Sequence, residues 1–516
     1  MRKLSFIPSF LTAFAAFTAC AAISPAPVSP AELQWKLAAG VRMEDRDGKR
    51  ILVAELPPGA PKGASALAVA QLPVKKLYNL PLRISVPARW ENVEQWNSIV
   101  LRVEYVSRAG LKVDPSQLPQ SRPESMPWTE LAITPSILTF GNYATDGPVT
   151  LSLGIQGGGG KVEFDMSKLV FELEETVSDA DANYQCEYSD AVRNMPRARG
   201  VMGPNRMMTD DDFRTLRDWN VNLVRFQFKP MPLSEQAVAR LGEDHTDYSV
   251  YRKHIERETA ELDTALRLGE KYGIKVLIDF HHFPPGGCIP GGELEIFQNQ
   301  KHVDEFIRIW LELVRRYKGH PALWGYDLIN EPFQLHRGVI SVYDLQRILA
   351  EKIREIDPET PIIFEPNSSR QAANDQFAWL PPLKLRNIIY SPHTYPPVHY
   401  FFSAKFPYPG EFRGVPFDRE WVKRDLEAIR QFQLAHNAVI YNGEFSVVPW
   451  AKGGAECLRD YIEFFEQYGW HYTYHAFREW DGWSLEHEGD SAQTLHPSQD
   501  NPRKRVLLEA FSLNGK

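Results

Sequence analysis

The strongest constraint on this chain is a change of hydrophobic period near Ser178. Before it, apolar residues alternate with polar ones. In "IVLRVEYV", Leu101, Val103 and Tyr105 alternate with Arg102, Glu104 and Val106, and in "KLVFELEE", Leu169, Phe171 and Leu173 alternate with Val170, Glu172 and Glu174. A period of two belongs to a strand buried on one face. Turn-rich stretches such as "LPPGAPKG" and "GGGG" separate these runs, and no amphipathic helix of convincing length precedes Glu175. Residues 31–177 are therefore expected to form an antiparallel β-sandwich.

Beyond Ser178, short apolar runs alternate with helical patterns. The expected strands are "RGVMG", "VNLVRFQF", "KVLIDFH", "LWGYDLIN", "PIIFEPN", "NIIYSPHTY", "AVIYNGEFS" and "YTYHAFREW". Thr209 and Asp212 fit the start of a helix over "DDFRTLRDWN", and Gly273 and Gly319 fit helix ends. Eight strands with helices between most of them predict an α/β (β/α)₈ barrel over 178–516, with a doubly wound open sheet as the alternative. A chain of 516 residues is in any case too long for one ordinary core.

The first residues are expected to be processed rather than folded. Arg2 and Lys3 precede an apolar segment from Leu4 to Phe17 and then "TACAA", which reads as a signal peptide over residues 1–20. Cys20 after "FTA" resembles the lipidated cysteine of a bacterial lipoprotein, with ordinary cleavage nearby as the alternative. Residues 21–30, including "SPAPVSP", read as a stiff proline-rich linker. Export from a bacterial cell follows, to the periplasm, the medium or a lipid-anchored position. No later run reaches the roughly 20 apolar residues of a membrane span. The net charge of −8 and the lack of a long basic stretch argue against nucleic acid. Cys186, Cys288 and Cys457 are too few and too scattered for a disulfide framework or a zinc site.

In a barrel the active site lies at the C-terminal strand ends. Those ends carry Arg225 on strand two, His281 and His282 on three, Asn330 and Glu331 on four, His393 and Tyr395 on six, Glu444 on seven and Trp480 on eight. Glu331 and Glu444 would face each other across the mouth. Retaining hydrolysis of a glycosidic bond needs two carboxyl groups roughly 5–5.5 Å apart, one protonated to donate to the leaving oxygen and one ionised to attack the anomeric carbon. Pro332 would fix the backbone where the chain leaves the barrel.

"INEP" on strand four and "GEF" on strand seven resemble glycoside hydrolase family 5, whose members are retaining (β/α)₈ enzymes that include cellulases and mannanases. The resemblance implies Glu331 as acid/base and Glu444 as nucleophile. It further implies Arg225 orienting the nucleophile, Tyr395 beside it, Asn330 on the sugar 2-hydroxyl, and His281, His393 and Trp480 as substrate-binding or supporting residues. No cofactor or metal is implied. Ser446 stands where many members have glycine, and Glu365, ending strand five, reads as a substrate contact or a structural group. "GKVEFDMSKLVFELEE" resembles the last strands of jelly-roll carbohydrate-binding modules, with a non-binding spacer as the alternative. The resemblance implies a polysaccharide or oligosaccharide substrate, with a β-glucan or β-mannan first. Exo-acting cleavage of short oligosaccharides or glycoconjugates, a metal-dependent hydrolase and an inactive surface glycan-binding protein are the rival readings. The proline- and aromatic-rich segments "FPPGGCIPGGELEIF" and "PPVHYFFSAKFPYPGEF" are expected either to stack sugars or to pack their own loops.

Overall fold

The computed structural model describes residues 24–94, 99–113, 124–173, 183–242, 244–288, 293–368, 373–397 and 406–515. The signal peptide with Cys20 and the seam near Ser178 lie outside the described residues.

The N-terminal part is two antiparallel sheets of seven and five strands. The alternation seen in the sequence is realised side chain by side chain: Leu101, Val103 and Tyr105 are buried between the sheets, while Arg102 and Glu104 are half-buried and Val106 is exposed. The strands Gly160–Asp165 and Val170–Leu173 pair with the long strand Leu82–Glu91, as neighbours along its length. Of the linker reading of residues 21–30, positions 21–23 lie outside the described residues, and over 24–30 it is corrected. Ser24–Pro25 pairs antiparallel with Glu172 and Leu173, Ala26 N donates to Phe171 O at 3.1 Å, and Ala26 and Val28 are buried. The prolines sit at a sheet edge, where a missing N–H breaks no ladder bond, so the segment folds into the sandwich.

The second part is a closed parallel barrel. Its strands are β1 (Arg199–Met202), β2 (Leu223–Phe228), β3 (Lys275–Phe280), β4 (Leu323–Asp327), β5 (Ile362–Phe364), β6 (Ile388–Tyr390), β7 (Val439–Asn442) and β8 (His471–Tyr474). The pairing of β1 with β8, Gly200 opposite Thr473, closes the ring and excludes the open sheet. Helices α1 (Asp210–Asp218), α2 (Ser249–Tyr272), α3 (Gln300–Tyr317) and α4 (Val342–Arg354) follow β1 to β4. Thr209 and Asp212 form a reciprocal capping box at α1, and Gly273 ends α2 at φ 71°, where glycine carries no Cβ penalty. Between β5 and β6 the described residues hold only a 3₁₀ turn, Ala373–Ala378. Helices α5 (Arg419–Asp425) and α6 (Glu427–His436) precede β7, and α7 (Gly454–Tyr468) precedes β8.

The sandwich docks on the barrel beside the mouth. Asn142 Nδ2 donates to Trp421 O at 3.0 Å, Arg424 Nε donates to Asn142 Oδ1 at 2.9 Å, and Gly141 N donates to Glu427 Oε2 at 2.9 Å. Arg337, in the loop after β4, pairs with Glu172 at 2.9 Å. Among the described residues no helix is long and apolar enough to cross a membrane.

Candidate active site

The polar groups of the mouth gather around one guanidinium. Arg225 on β2 is fully buried, and its donors need partners there. Nε donates to Asp327 Oδ2 at 3.0 Å, Nη1 to Glu444 Oε1 at 2.7 Å and Nη2 to Glu365 Oε1 at 2.7 Å. Nη2 also donates to Asn330 Oδ1 at 3.1 Å and lies 3.2 Å from Asp279 Oδ1. Burial works against the arginine charge, but the four carboxylates, Asp279 and Asp327 foremost, hold its pKa well above its ordinary value. Burial pushes Asp327 above the usual carboxylate range, and the neighbouring Glu365 and Asp279 add to it, while Arg225 works the other way.

Glu444 follows β7 directly. The parallel pairing of β6 and β7 continues past the strand ends as a bridge between His393 and Glu444, with Thr394 N donating to Glu444 O at 2.9 Å. Gly443 has no room for a side chain: a Cβ there would lie 2.7 Å from His393 Nε2. The Tyr395 hydroxyl donates to Glu444 Oε2 at 2.6 Å. Burial alone would raise the Glu444 pKa, but His393, His475 and Arg225 outweigh it and hold the carboxylate far below its usual range.

Glu331 has the opposite surroundings. Its side chain is 49% exposed against 6% for Glu444, and its Oε1 lies 2.8 Å from His393 Nδ1. Its backbone is left-handed at φ 42°, a conformation costing about 1–2 kcal/mol for a residue with a Cβ. It is held there by the N–H donating to Glu365 Oε2 at 2.8 Å and by Ser368 Oγ donating to its carbonyl at 2.9 Å. One oxygen of each glutamate and a nitrogen of His393 lie within 4.8 Å of one another. Such a donor set could in principle hold a divalent cation. Burial disfavours the imidazolium of His393, yet Glu365, Glu444 and Glu331 hold its pKa well above the ordinary value.

His281, just past β3, lies 2.6 Å from Asp279 Oδ2 and adds to the positive field on Glu444. His282 points away, buried against Tyr251 and His254, where burial lowers its pKa to about 3. Trp480 needs a correction of place. β8 ends at Tyr474, so the side chain that leaves the strand end toward Glu444 is His475, and Trp480 lies on the rim with its ring against Trp450 and Trp483. Trp483 in turn packs on His475, and His475 on Tyr395. Glu479 lies 3.0 Å from His475 Nε2.

Sequence reasoning missed Asp279, Asp327 and His475. The signal for the two aspartates was present as single acids inside "VLIDF" and "GYDLI", runs otherwise apolar, where a carboxylate must find a buried partner. Of the two aromatic-rich loops, residues 289–292 and 398–405 lie outside the described residues. In the described remainder of the second, Phe406 packs against Phe412 within the loop, while Phe406 and Tyr408 pack against Phe417 and Phe412 against Trp421 in the chain that follows.

A closed parallel barrel with two carboxyl groups facing each other at its C-terminal mouth defines a glycoside hydrolase. The model of the cellulase family, glycosyl hydrolase family 5, matches residues 184–481, and the chain belongs to that family. It is 23% identical to endoglucanase C of Acetivibrio thermocellus over 295 residues, 51% of this chain and 81% of that protein. It is 26% identical to cellodextrinase A of Ruminococcus flavefaciens over 204 residues, 38% of this chain and 54% of that protein. Among solved structures, Pseudomonas stutzeri endoglucanase in complex with cellobiose superposes with a TM-score of 0.43 at 19% identity, over 64% of this chain and 93% of that one.

Proposed function

We propose that the protein is a retaining β-glucanase working by double displacement, with Glu444 as nucleophile and Glu331 as acid/base. One observation carries this reading: two carboxyl groups with oxygens within 4.8 Å of each other stand in opposite environments. Oxygens that close favour the short separation of direct attack by a carboxylate over the wider one that leaves room for a water in inversion. Glu444, buried and held by Arg225 and Tyr395, stays ionised and keeps one orientation toward the anomeric carbon. Glu331, at the open side, delivers a proton to the departing glycosidic oxygen and then takes one from the water that hydrolyses the glycosyl ester. Asn330 Oδ1 is occupied by Arg225, which leaves its Nδ2 donors for a sugar 2-hydroxyl. Trp480, exposed on the rim, offers a flat surface to a sugar further from the bond that breaks.

The names of the relatives, an endoglucanase and a cellodextrinase, favour a β-glucan over a β-mannan. The N-terminal segment fits export of this enzyme, and Cys20 fits a lipid anchor; labelling with a radioactive fatty acid, with Cys20→Ala as control, tests the anchor.

The function is tested by turnover on β-glucans, β-mannans and aryl β-glycosides with Glu331→Ala and Glu444→Ala. Both variants should lose activity, and azide should restore Glu444→Ala while yielding the glycosyl azide of inverted configuration. Full activity in either variant would refute the assignment.

A further inference from the structure

Glu365 ends β5, on a strand that supplies neither proposed catalytic carboxylate. It is 2% exposed and reaches Glu331 directly and through His393, and Glu444 through Arg225. Its Oε1 accepts from Arg225 Nη2 at 2.7 Å, and Arg225 Nη1 holds Glu444 at 2.7 Å. The same Oε1 lies 3.3 Å from His393 Nε2, while His393 Nδ1 meets Glu331 at 2.8 Å. Its Oε2 accepts the Glu331 backbone N–H at 2.8 Å, at the residue held in the left-handed region.

The carboxylate is itself anchored. Gln346 on α4, fully buried, donates from Nε2 to Glu365 O at 2.7 Å and accepts from Glu365 N at 3.1 Å. A helix thus fixes the strand end, and the strand end fixes three members of the site. A chain that needed only to neutralise Arg225 already had Asp279, Asp327 and Glu444. Hydrogen bonding to the Glu331 backbone adds nothing to charge balance, so a different requirement is being met: Glu331 must stay where its carboxyl faces Glu444.

We infer that Glu365 is a positioning residue that couples the two catalytic glutamates, setting Glu331 through its backbone and His393, and Glu444 through Arg225. The inference rests on the roles proposed above for Glu331 and Glu444. Its negative charge beside His393 also favours the imidazolium, so it helps hold the His393 proton as pH rises.

Two substitutions separate geometry from charge. Glu365→Gln keeps an oxygen for the Glu331 N–H but removes the charge, and Glu365→Ala removes both. The assay is kcat and KM over about pH 5 to 10, with thermal melting of each protein and with Glu331→Ala and Glu444→Ala as references. Glu365→Gln should shift the alkaline limb of the profile to lower pH by about one unit, the lower end of what one neighbouring charge does. Glu365→Ala should lose about 100-fold in kcat with KM little changed, as expected for reacting groups displaced by about 1 Å. Recovery of most of that loss by Glu365→Gln at low pH marks positioning rather than bulk stability.

If the reference variants are inactive while both Glu365 variants keep the wild-type kcat and alkaline limb, the inference fails and the proposed function stands. A uniform loss across pH in Glu365→Gln, tracking a lower melting temperature, also overturns it. Active reference variants would remove the proposed function and the inference together. Should Glu365→Ala fail to fold, the limb shift of Glu365→Gln decides.

Discussion

Replacing Arg225 by methionine tests the electrostatic account of the barrel interior. The side chain is completely buried and contacts Asp327, Glu444 and Glu365 at 3.0, 2.7 and 2.7 Å. Glu365 and Glu444 are held with depressed pKa values, and their charges would then be opposed by His393 but no longer by the guanidinium. Removing one partner from a buried ion pair costs about 3–5 kcal/mol, and a Coulomb estimate at an effective dielectric near 20 gives about 4 kcal/mol per pair at 4 Å separation. With about 2–4 °C per kcal/mol for domains of moderate size, the barrel transition should fall by roughly 6–20 °C near neutral pH.

The sign with pH is as informative as the size. In the wild type, Glu365 and Glu444 have depressed pKa values, so they contribute stability above the unfolded carboxylate range and lose it as pH falls. In the variant both pKa values rise, because burial is then opposed by His393, and for Glu444 also by His475, without Arg225. Its penalty is then full above those raised values and disappears as the groups protonate. The gap between the two proteins should be wide near pH 7 and narrow by about pH 4. Calorimetric melting at the two pH values measures it. Equal melting near neutrality, or a gap of the same width at both, would refute the reasoning.

Other perturbations have definite signs. His475→Ala removes a positive charge facing Glu444 and should raise the acid limb of kcat/KM, while the wild-type limb lies below the ordinary carboxylate range; a pH–rate profile decides, and an unchanged limb contradicts the assigned field. Thr209→Ala removes the side chain that accepts from Asp212 N at 3.3 Å at the start of α1, and urea unfolding should show a loss of about 1 kcal/mol with kcat unaffected.

The barrel was legible because each of its strands is a short, nearly continuous apolar run, buried on both sides, and each ends in residues that cannot be core. "INEP" and "GEF" carried the two glutamates because the amide, carboxylates and proline interrupt those runs where the chain must emerge. The limits of the reading are physical as well. Nothing in "YTYHAFREW" distinguishes a strand ending at Tyr474 from one ending nearer Trp480, since tyrosine and phenylalanine suit either register, and His475, which faces Glu444, gives no signal of its own. The hub made by Arg225, Glu365 and His393 depends on residues far apart in the chain meeting at the barrel mouth. "SPAPVSP" reads as a tether because proline forbids a central strand, but the edge it occupies asks little of its N–H groups.

Two kinds of contact hold the sandwich beside the mouth, and their magnitudes differ. The Arg337–Glu172 pair looks strategic, because Arg337 lies in the loop that begins at Glu331. Arg337 is 38% exposed, however, and pairs of that kind are worth about 0–1 kcal/mol. Glu172 also sits 3.4 Å from the buried Arg83, but Arg83 keeps Glu130 at 2.6 Å, so loss of Glu172 does not strand a buried charge. Asn142 is the stronger tie. It is 2% exposed, its Nδ2 donates to Trp421 O and its Oδ1 accepts from the Arg424 guanidinium, so truncation leaves a buried carbonyl and a cation each short of a partner. The buried carbonyl left so costs about 1–3 kcal/mol, and the half-buried Arg424 adds less. Asn142→Ala should therefore split melting of the chain into separate sandwich and barrel transitions, whereas Glu172→Ala should leave it as in the wild type. The reverse order would mean that the loop after β4, and with it Glu331, is governed from the sandwich side through Arg337.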